Sequence, residues 1–299
     1  MASVKKYLSL VKFSHTIFAL PFALIGFSLG MKHTLSGLDA EMLHDKIVVW
    51  FITRQLFWVL VCMVSARSAA MAFNRYLDRN FDAKNPRTAI REIPAGIISA
   101  NSALLFVILN CAVFLVASYL LNIMCFYLSF VALFVILFYS YTKRFTALCH
   151  LVLGLGLSFA PIGAYIAVTG VFDLLPVLFS LAVIFWVSGF DIIYALQDVD
   201  FDRSQKLHSI PAMLGKKKAL RVSELLHVLS AACVITAGIY SGFHAIYWAG
   251  IAVFVGMLFY QHSIVKPDDL SKVNIAFMTA NGIASVVFGV LVIIDLFVF

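Results

Sequence analysis

Asn74, Asp78 and Asp82 recur every four residues in the run Asn-Arg-Tyr-Leu-Asp-Arg-Asn-Phe-Asp, a step that lines them on one face of a helix. The same step returns in Asp191-Ile-Ile-Tyr194-Ala-Leu-Gln-Asp198-Val-Asp200-Phe-Asp202. Each set closes a long apolar run, where carboxylates are costly and mark function by default. Four or five carboxylates on two helix ends suit a hard cation, and Mg2+ in proteins usually takes one or two carboxylates together with substrate phosphates. The predicted ligands are Asn74, Asp78, Asp82, Asp198 and Asp202, bridging Mg2+ to a diphosphate. The bland alternative is two solvated helix ends neutralised by Arg75, Arg79 and Lys84; the repeated step favours the metal.

Cations stand close by in sequence. Arg87, Arg91, Lys143, Arg144 and Lys206 could neutralise a diphosphate as negative charge grows on it, although each taken singly reads equally well as ordinary loop charge. Tyr139 and Lys143 are four apart and share a face at the inner end of a helix. The Lys216–Lys218 run suits lipid headgroups instead. Arg67 is the most informative single charge. It lies seven residues before Asn74, on the same face and ~10 Å deeper in the membrane, and a buried arginine needs an anion. That anion is either a substrate carboxylate, held bidentately, or Asp191. Asp191 is correspondingly either a general base or the group that holds Arg67. Tyr194 could touch a diphosphate or the reacting carbon. His15 reads as a packing residue.

The elements that must position these side chains are membrane helices. The chain has 299 residues, of which 63% are hydrophobic and 12% charged, with a mean hydropathy of +0.99. A soluble domain could not hide that much apolar surface. Nine apolar spans are expected, at 13–31, 55–73, 98–119, 121–141, 147–169, 174–196, 222–241, 245–261 and 274–297, each close to the ~20 residues a crossing requires. The first follows Lys5, Lys6 and Lys12 and is longer than a signal-peptide core. With the N-terminus inside, eighteen of the 22 Lys and Arg fall on the cytoplasmic side and three outside, with Arg67 inside the second span. The positive-inside bias therefore puts both acidic motifs on the cytoplasmic side of an inner-membrane protein, with the C-terminus opposite. The basic residues sit in short loops between apolar runs, which points to the lipid bilayer as partner and away from nucleic acid. The five cysteines contain no Cys-x-x-Cys pair and read as small core hydrophobes.

These motifs resemble those of the UbiA superfamily of intramembrane aromatic prenyltransferases. Asn74-x-x-x-Asp78-x-x-x-Asp82 with Arg87-Thr88-x-x-Arg91 looks like its first signature, and Asp191-x-x-Tyr194-x-x-x-Asp198-x-x-x-Asp202 like its second. Tyr139-x-x-x-Lys143 matches a further feature. Lys12-Phe-Ser-His-Thr-Ile-Phe-Ala-Leu-Pro-Phe and Arg91-Glu-Ile-Pro94 resemble the 4-hydroxybenzoate polyprenyltransferase-like branch. The resemblance covers the whole chain, 1–299, as one domain. It implies an all-α, polytopic membrane protein of nine transmembrane helices around a central cavity that opens to the cytoplasm.

The activity implied is transfer of a polyprenyl group from polyprenyl diphosphate to an aromatic acid acceptor such as 4-hydroxybenzoate, with Mg2+, in quinone biosynthesis. Catalytic roles would fall to Asp191, Tyr194 and Arg67, with Arg67 also receiving the acceptor's carboxylate. Diphosphate binding would fall to Arg87, Arg91, Tyr139, Lys143 and Lys206. Arg75 stands where many hydroxybenzoate enzymes carry a second acid, and Glu92 where they carry proline; both departures bear on the acceptor rather than on the chemistry. The alternative within the class is the prenyltransferase of the futalosine route to menaquinone, acting on a different aromatic acceptor. The alternative outside it is an ion or metabolite transporter, against which the acids all gather at one face. A phospholipid-synthesising alcohol transferase would carry Asp-Gly and Ala-Arg elements missing here.

Overall fold

The structure is a computed structural model that describes residues 2–11, 18–36 and 45–299. His15 and the Lys12–Ile17 part of the N-terminal motif lie outside the described residues. Helices carry all the regular structure that positions the site. They are α1 (Ala2–Leu10), α2 (Leu20–Leu35), α3 (Lys46–Leu77), the single turn α4 (Arg79–Asp82), α5 (Ala100–Leu121), α6 (Ile123–Thr142), α7 (Cys149–Thr169), α8 (Leu174–Ala195), α9 (Val199–Ser204), α10 (Ile210–Leu214), α11 (Lys216–Ser241), α12 (Ala245–Ile264) and α13 (Asn281–Val298). A π-helical turn, Ile275–Ala280, leads into α13.

Eight crossings are long and apolar enough to span a membrane among the described residues. They correspond to the second through ninth expected spans. The first expected span is described only as α2, 16 residues long, and its predicted start at 13 lies outside the described residues. The protein is a multi-pass membrane protein. Its lipid-facing surface is written in the exposed apolar side chains of α5 and α6, among them Leu105, Ile108, Val113, Val131 and Phe134.

Helix starts follow local chemistry. Asp45, Ser99, Asn122 and Asp173 each accept a backbone N–H two or three residues on, which satisfies donors that a helix cannot pair internally. α7 ends on Gly170 in the left-handed region, φ +72°, where glycine costs least. Two helix boundaries depart from expectation. α3 begins at residue 46 rather than 55, because its first turns carry Lys46, Thr53 and Arg54, which break the apolar run without breaking the helix. α11 begins at 216 rather than 222, so the Lys216–Lys218 run forms its first turn.

Helices α2, α7, α8, α11, α12 and α13 pack in a closed ring around Phe22, Phe179, Trp186, Phe254 and Phe288. α3, α5 and α6 stand outside α7 and pack on one another. Lipid is as apolar as these side chains, so packing and interhelical hydrogen bonds hold the ring rather than expulsion from water. Asn281 is fully buried. Its Oδ1 accepts from Trp186 Nε1 and Gln261 Nε2, each at 2.9 Å, tying α8, α12 and α13. Its Nδ2 returns to the Ala276 and Phe277 carbonyls of the π turn, whose widened spacing leaves carbonyls in want of donors.

α2 and α7 approach closely at Gly26, where an added Cβ would lie 1.9 Å from the Pro161 carbonyl oxygen. Gly26→Ala is therefore expected to lower stability by about 1–3 kcal/mol through forced separation of these backbones. Gly256→Ala, with open space around it, should be neutral or mildly stabilising. Thermal denaturation of both variants in detergent checks the pair.

Candidate active site

Both acidic motifs converge at one end of the bundle. The helix of the first is interrupted at Asp78, whose φ −88° and ψ 4° leave the α region. The four-residue hydrogen bonds nevertheless continue, Asp78 N to Asn74 O at 2.9 Å and Asp82 N to Asp78 O at 2.8 Å. Asn74, Asp78 and Asp82 therefore still share a face. In the second motif a 3-10 turn, Leu196–Asp198, joins α8 to α9. The two motifs line one polar pocket of about 200 Å3, together with Arg87, Arg91, Tyr139 and Lys143. Asp191 and Tyr194 line it as well.

Each carboxylate at the mouth meets a cation. Arg91 Nη1 lies 2.6 Å from Asp82 Oδ1, Lys143 Nζ 3.4 Å from Asp202 Oδ1 and Arg144 Nη2 3.3 Å from Asp78 Oδ1. Arg87 grips Asp198 with Nε and Nη2, and its Nη1 donates to Tyr194 Oη at 3.1 Å. The Tyr194 ring rests against Phe277 of the π turn, centroids 4.3 Å apart. Burial pushes the Asp78 carboxyl above the ordinary range, against the opposing pull of Lys143 and Arg144. Burial alone would lower the Lys143 ammonium, but Asp202, Asp78 and Asp198 outweigh it and hold its pKa above the usual lysine value.

The fit of a divalent cation rests on two atoms. Among the described residues, Asp82 Oδ2 and Asp202 Oδ1 are buried with no hydrogen-bond donor, the second being relieved by the Lys143 ion pair. Buried anionic oxygens left so are uncommon, and these two come from opposite motifs lining the same pocket. Among the described residues no three Asp, Glu, His or Cys converge as a closed metal cage. The sequence expects Asn74, Asp78, Asp82, Asp198 and Asp202 to be completed by a diphosphate, and the four aspartates are ion-paired with Arg144, Arg91, Arg87 and Lys143 in this structure. An open pair of carboxylates completed by ligand phosphate is how Mg2+ is usually held.

A second cavity, of about 320 Å3 and almost wholly apolar, is walled by α3, α5, α6 and α7. Tyr139 and Leu153 line both cavities, so the charged pocket and the apolar one meet there. Arg67 lies on the wall of the apolar cavity, deeper than the acids, as its position on α3 implies. Asp191 is engaged by His150, at 2.7 Å. Lys206, expected at the diphosphate, is exposed at the turn after α9 with φ +55°, outside the pocket lining.

Three contributors escape sequence reasoning. Asn85 Nδ2 donates to Asp198 Oδ1 at 3.2 Å. Ser209 Oγ donates to Asp202 Oδ2 at 3.0 Å while capping α10. His150 is the third, and its one sequence signal is an ionisable group opening an apolar run.

The UbiA prenyltransferase family matches residues 19–283. The chain belongs to that family. It is 32% identical over 277 residues to a 4-hydroxybenzoate octaprenyltransferase of Nitrosomonas europaea, covering 91% of each chain. Among solved structures, the apo structure of a UbiA homolog from Aeropyrum pernix superposes with a TM-score of 0.80 at 30% identity, over 94% of this chain and 98% of that one. A UbiA homolog from Archaeoglobus fulgidus bound to GPP and Mg2+ shares the fold at 20% identity and a TM-score of 0.72, over 96% and 98% of the two chains. The protein is a membrane prenyltransferase.

Asp202 and Asp200 differ only in place, the first 2% exposed in the pocket and the second exposed to solvent. Asp202→Ala should abolish the stabilisation that Mg2+ plus a prenyl diphosphate confers on the purified protein, and Asp200→Ala should leave it intact. Thermal shift with and without both ligands distinguishes them.

Proposed function

We propose that this UbiA prenyltransferase moves the polyprenyl group of a polyprenyl diphosphate onto a hydroxylated aromatic acid, 4-hydroxybenzoate or a close relative, as a step of quinone biosynthesis. The observation that carries the reading is the junction at Tyr139 and Leu153, where a pocket of paired charges opens onto an apolar cavity. A molecule with a charged head and a long apolar tail fits that shape and little else does.

Asn74, Asp78, Asp82, Asp198 and Asp202 would hold Mg2+, which when bound supplies positive charge to the diphosphate. Arg87, Arg91 and Lys143 stabilise the departing diphosphate as its charge grows. Lys206 is the weakest member of that set, being outside the pocket. Tyr139 stands where head and tail meet. Arg67 binds the acceptor's carboxylate from the apolar side, which aligns the ring with the allylic carbon. Tyr194, fixed by Arg87, faces the diphosphate or the reacting carbon. Asp191 takes the proton released by the ring. The apolar walls keep water from quenching the developing cation. The site faces the cytoplasm of the cell membrane, with the N-terminus on that side, so polar substrates enter from water while the tail stays in lipid.

The test is an assay of detergent-purified protein with Mg2+, a polyprenyl diphosphate and 4-hydroxybenzoate, read by mass spectrometry. Prenylated acid should form and should vanish with EDTA and in Asp78→Ala. Arg67→Ala should raise KM for the acceptor by about 10-fold or more while leaving KM for the diphosphate within about 2-fold, as loss of one charged anchor predicts. Product with another hydroxylated aromatic acid alone would redirect the pathway towards menaquinone by the futalosine route. No aromatic turnover, together with ion flux in liposomes, would overturn the enzyme reading.

A further inference from the structure

His150 takes no part in the roles assigned above, yet it is fixed on three sides. It opens α7 and is 3% exposed. Its Nδ1 lies 2.7 Å from Asp191 Oδ2 on α8. Its own carbonyl accepts from Ser188 Oγ at 3.1 Å, a second tie to α8. On the far side of the ring, the backbone N–H of Ile210 points at Nε2 from 3.4 Å. Ile210 is the first residue of α10, so its N–H has no acceptor within that helix.

The 2.7 Å contact makes Nδ1 the nitrogen that donates to the Asp191 carboxylate, while the longer 3.4 Å approach of the Ile210 N–H leaves Nε2 facing a backbone donor rather than an acceptor. Among the described residues the carboxylate is held by one oxygen, Oδ2. Asp191 Oδ1 accepts no hydrogen bond from the described residues, and Asp191 lines the polar pocket. Leu153, one turn beyond His150 on α7, lines both cavities, which sets the His150–Asp191 pair level with their junction.

We propose that His150 is a positioning residue: as an Nδ1–H donor it fixes the Asp191 carboxylate so that Oδ1 faces the acceptor ring, and it does not itself take the ring proton. The role rests on the aromatic-transfer reading given above. In that step the ring carbon bonds to C1 of the prenyl group, and the C1–O bond breaks with its electron pair leaving on the diphosphate. The ring C–H proton passes to Asp191 Oδ1, and its electron pair restores aromaticity. Asp191 later returns the proton to water from the pocket side. The imidazole offers no onward route, because its outer nitrogen is capped by Ile210.

The distinguishing experiment compares His150→Gln with His150→Ala and His150→Leu. A glutamine amide supplies an N–H for Asp191 and an oxygen for the Ile210 N–H, which reproduces both bonds without an ionisable ring. Alanine supplies neither, and leucine fills the volume with no donor. His150→Ala and His150→Leu should lower kcat about 10–100-fold, the range seen when an orienting partner is lost. KM for the polyprenyl diphosphate should stay within about 2-fold, since its cationic partners Arg87, Arg91 and Lys143 are left in place. His150→Gln should recover kcat to within about five-fold of wild type.

Wild-type kcat in folded His150→Ala or His150→Leu would overturn the role. A folded His150→Gln as slow as the others would also overturn it, by showing that the imidazole itself exchanges the proton. Should both apolar variants fail to fold, His150→Gln alone decides by the same criterion. A wild-type protein that binds polyprenyl diphosphate but prenylates no aromatic acid would instead overturn the transfer reading, and the role of His150 with it.

Discussion

Four aspartates at the mouth of an apolar bundle cannot be held there without counter-charge, and the polypeptide at this end of the molecule is arranged to supply it. The segment after α4 turns back so that Arg91 reaches Asp82 and Arg87 crosses to Asp198, 111 residues away. α6 ends with Lys143 and Arg144 pointing at Asp202 and Asp78. The turn after α9 is pinned by His208 N to Lys143 O at 2.7 Å. The members of these pairs are unequally exposed. Acid side chains are 3–17% exposed and their cationic partners 22–35%. The acids are thus fixed by the fold, while the cations reach in from a wetter shell where screening weakens their hold. Such cations can transfer their allegiance to a phosphate without the acids moving.

The same asymmetry continues inward. Beyond Tyr139 and Leu153 the lining changes from charged to apolar, and among the described residues Arg67 is the one guanidinium on that apolar wall. A reaction that creates positive charge on a hydrocarbon needs anions within reach but water excluded, and a boundary of this kind meets both demands at once. α7 forms the shared wall. It packs on α2, α6 and α8 and carries His150 at its start and Pro161 against Gly26 in its middle. Its rigidity therefore matters to both cavities.

Periodicity made much of this legible. The four-residue steps survive because hydrogen bonding continues through the break at Asp78, even though the helix itself does not. The apolar runs located the crossings because nothing but a helix satisfies its backbone in lipid. The start of α3 was not legible, since Arg54 ends the apolar window while its guanidinium stays in the helix surface, over the Trp50 ring at 5.7 Å and bonded to the Leu120 carbonyl. Nor was the partner of Asp191. His150 is 41 residues distant and on another helix, and spacing within one helix says nothing of what faces it across an interface. Cation pairing likewise escapes a linear reading. Lys143 and Lys206 look equivalent in sequence, yet the first closes a helix over the pocket and the second sits on an exposed left-handed turn.

The 32 residues of α3 amount to about 48 Å at 1.5 Å per residue, against a hydrocarbon core of about 30 Å. Its partner α5, with 22 residues, comes to about 33 Å and matches that core. The excess must project or tilt, and the first acidic motif is mounted on its tip. α3 thus works as a gauge rod: the depth at which the chemistry sits is metered by helix length against lipid thickness, with the Arg54–Trp50 pair near the opposite end as its stop. α5 packs along it and matches the core, so the extra turns of α3 carry the motif past the apolar layer to where charged groups can be met by water and by cations.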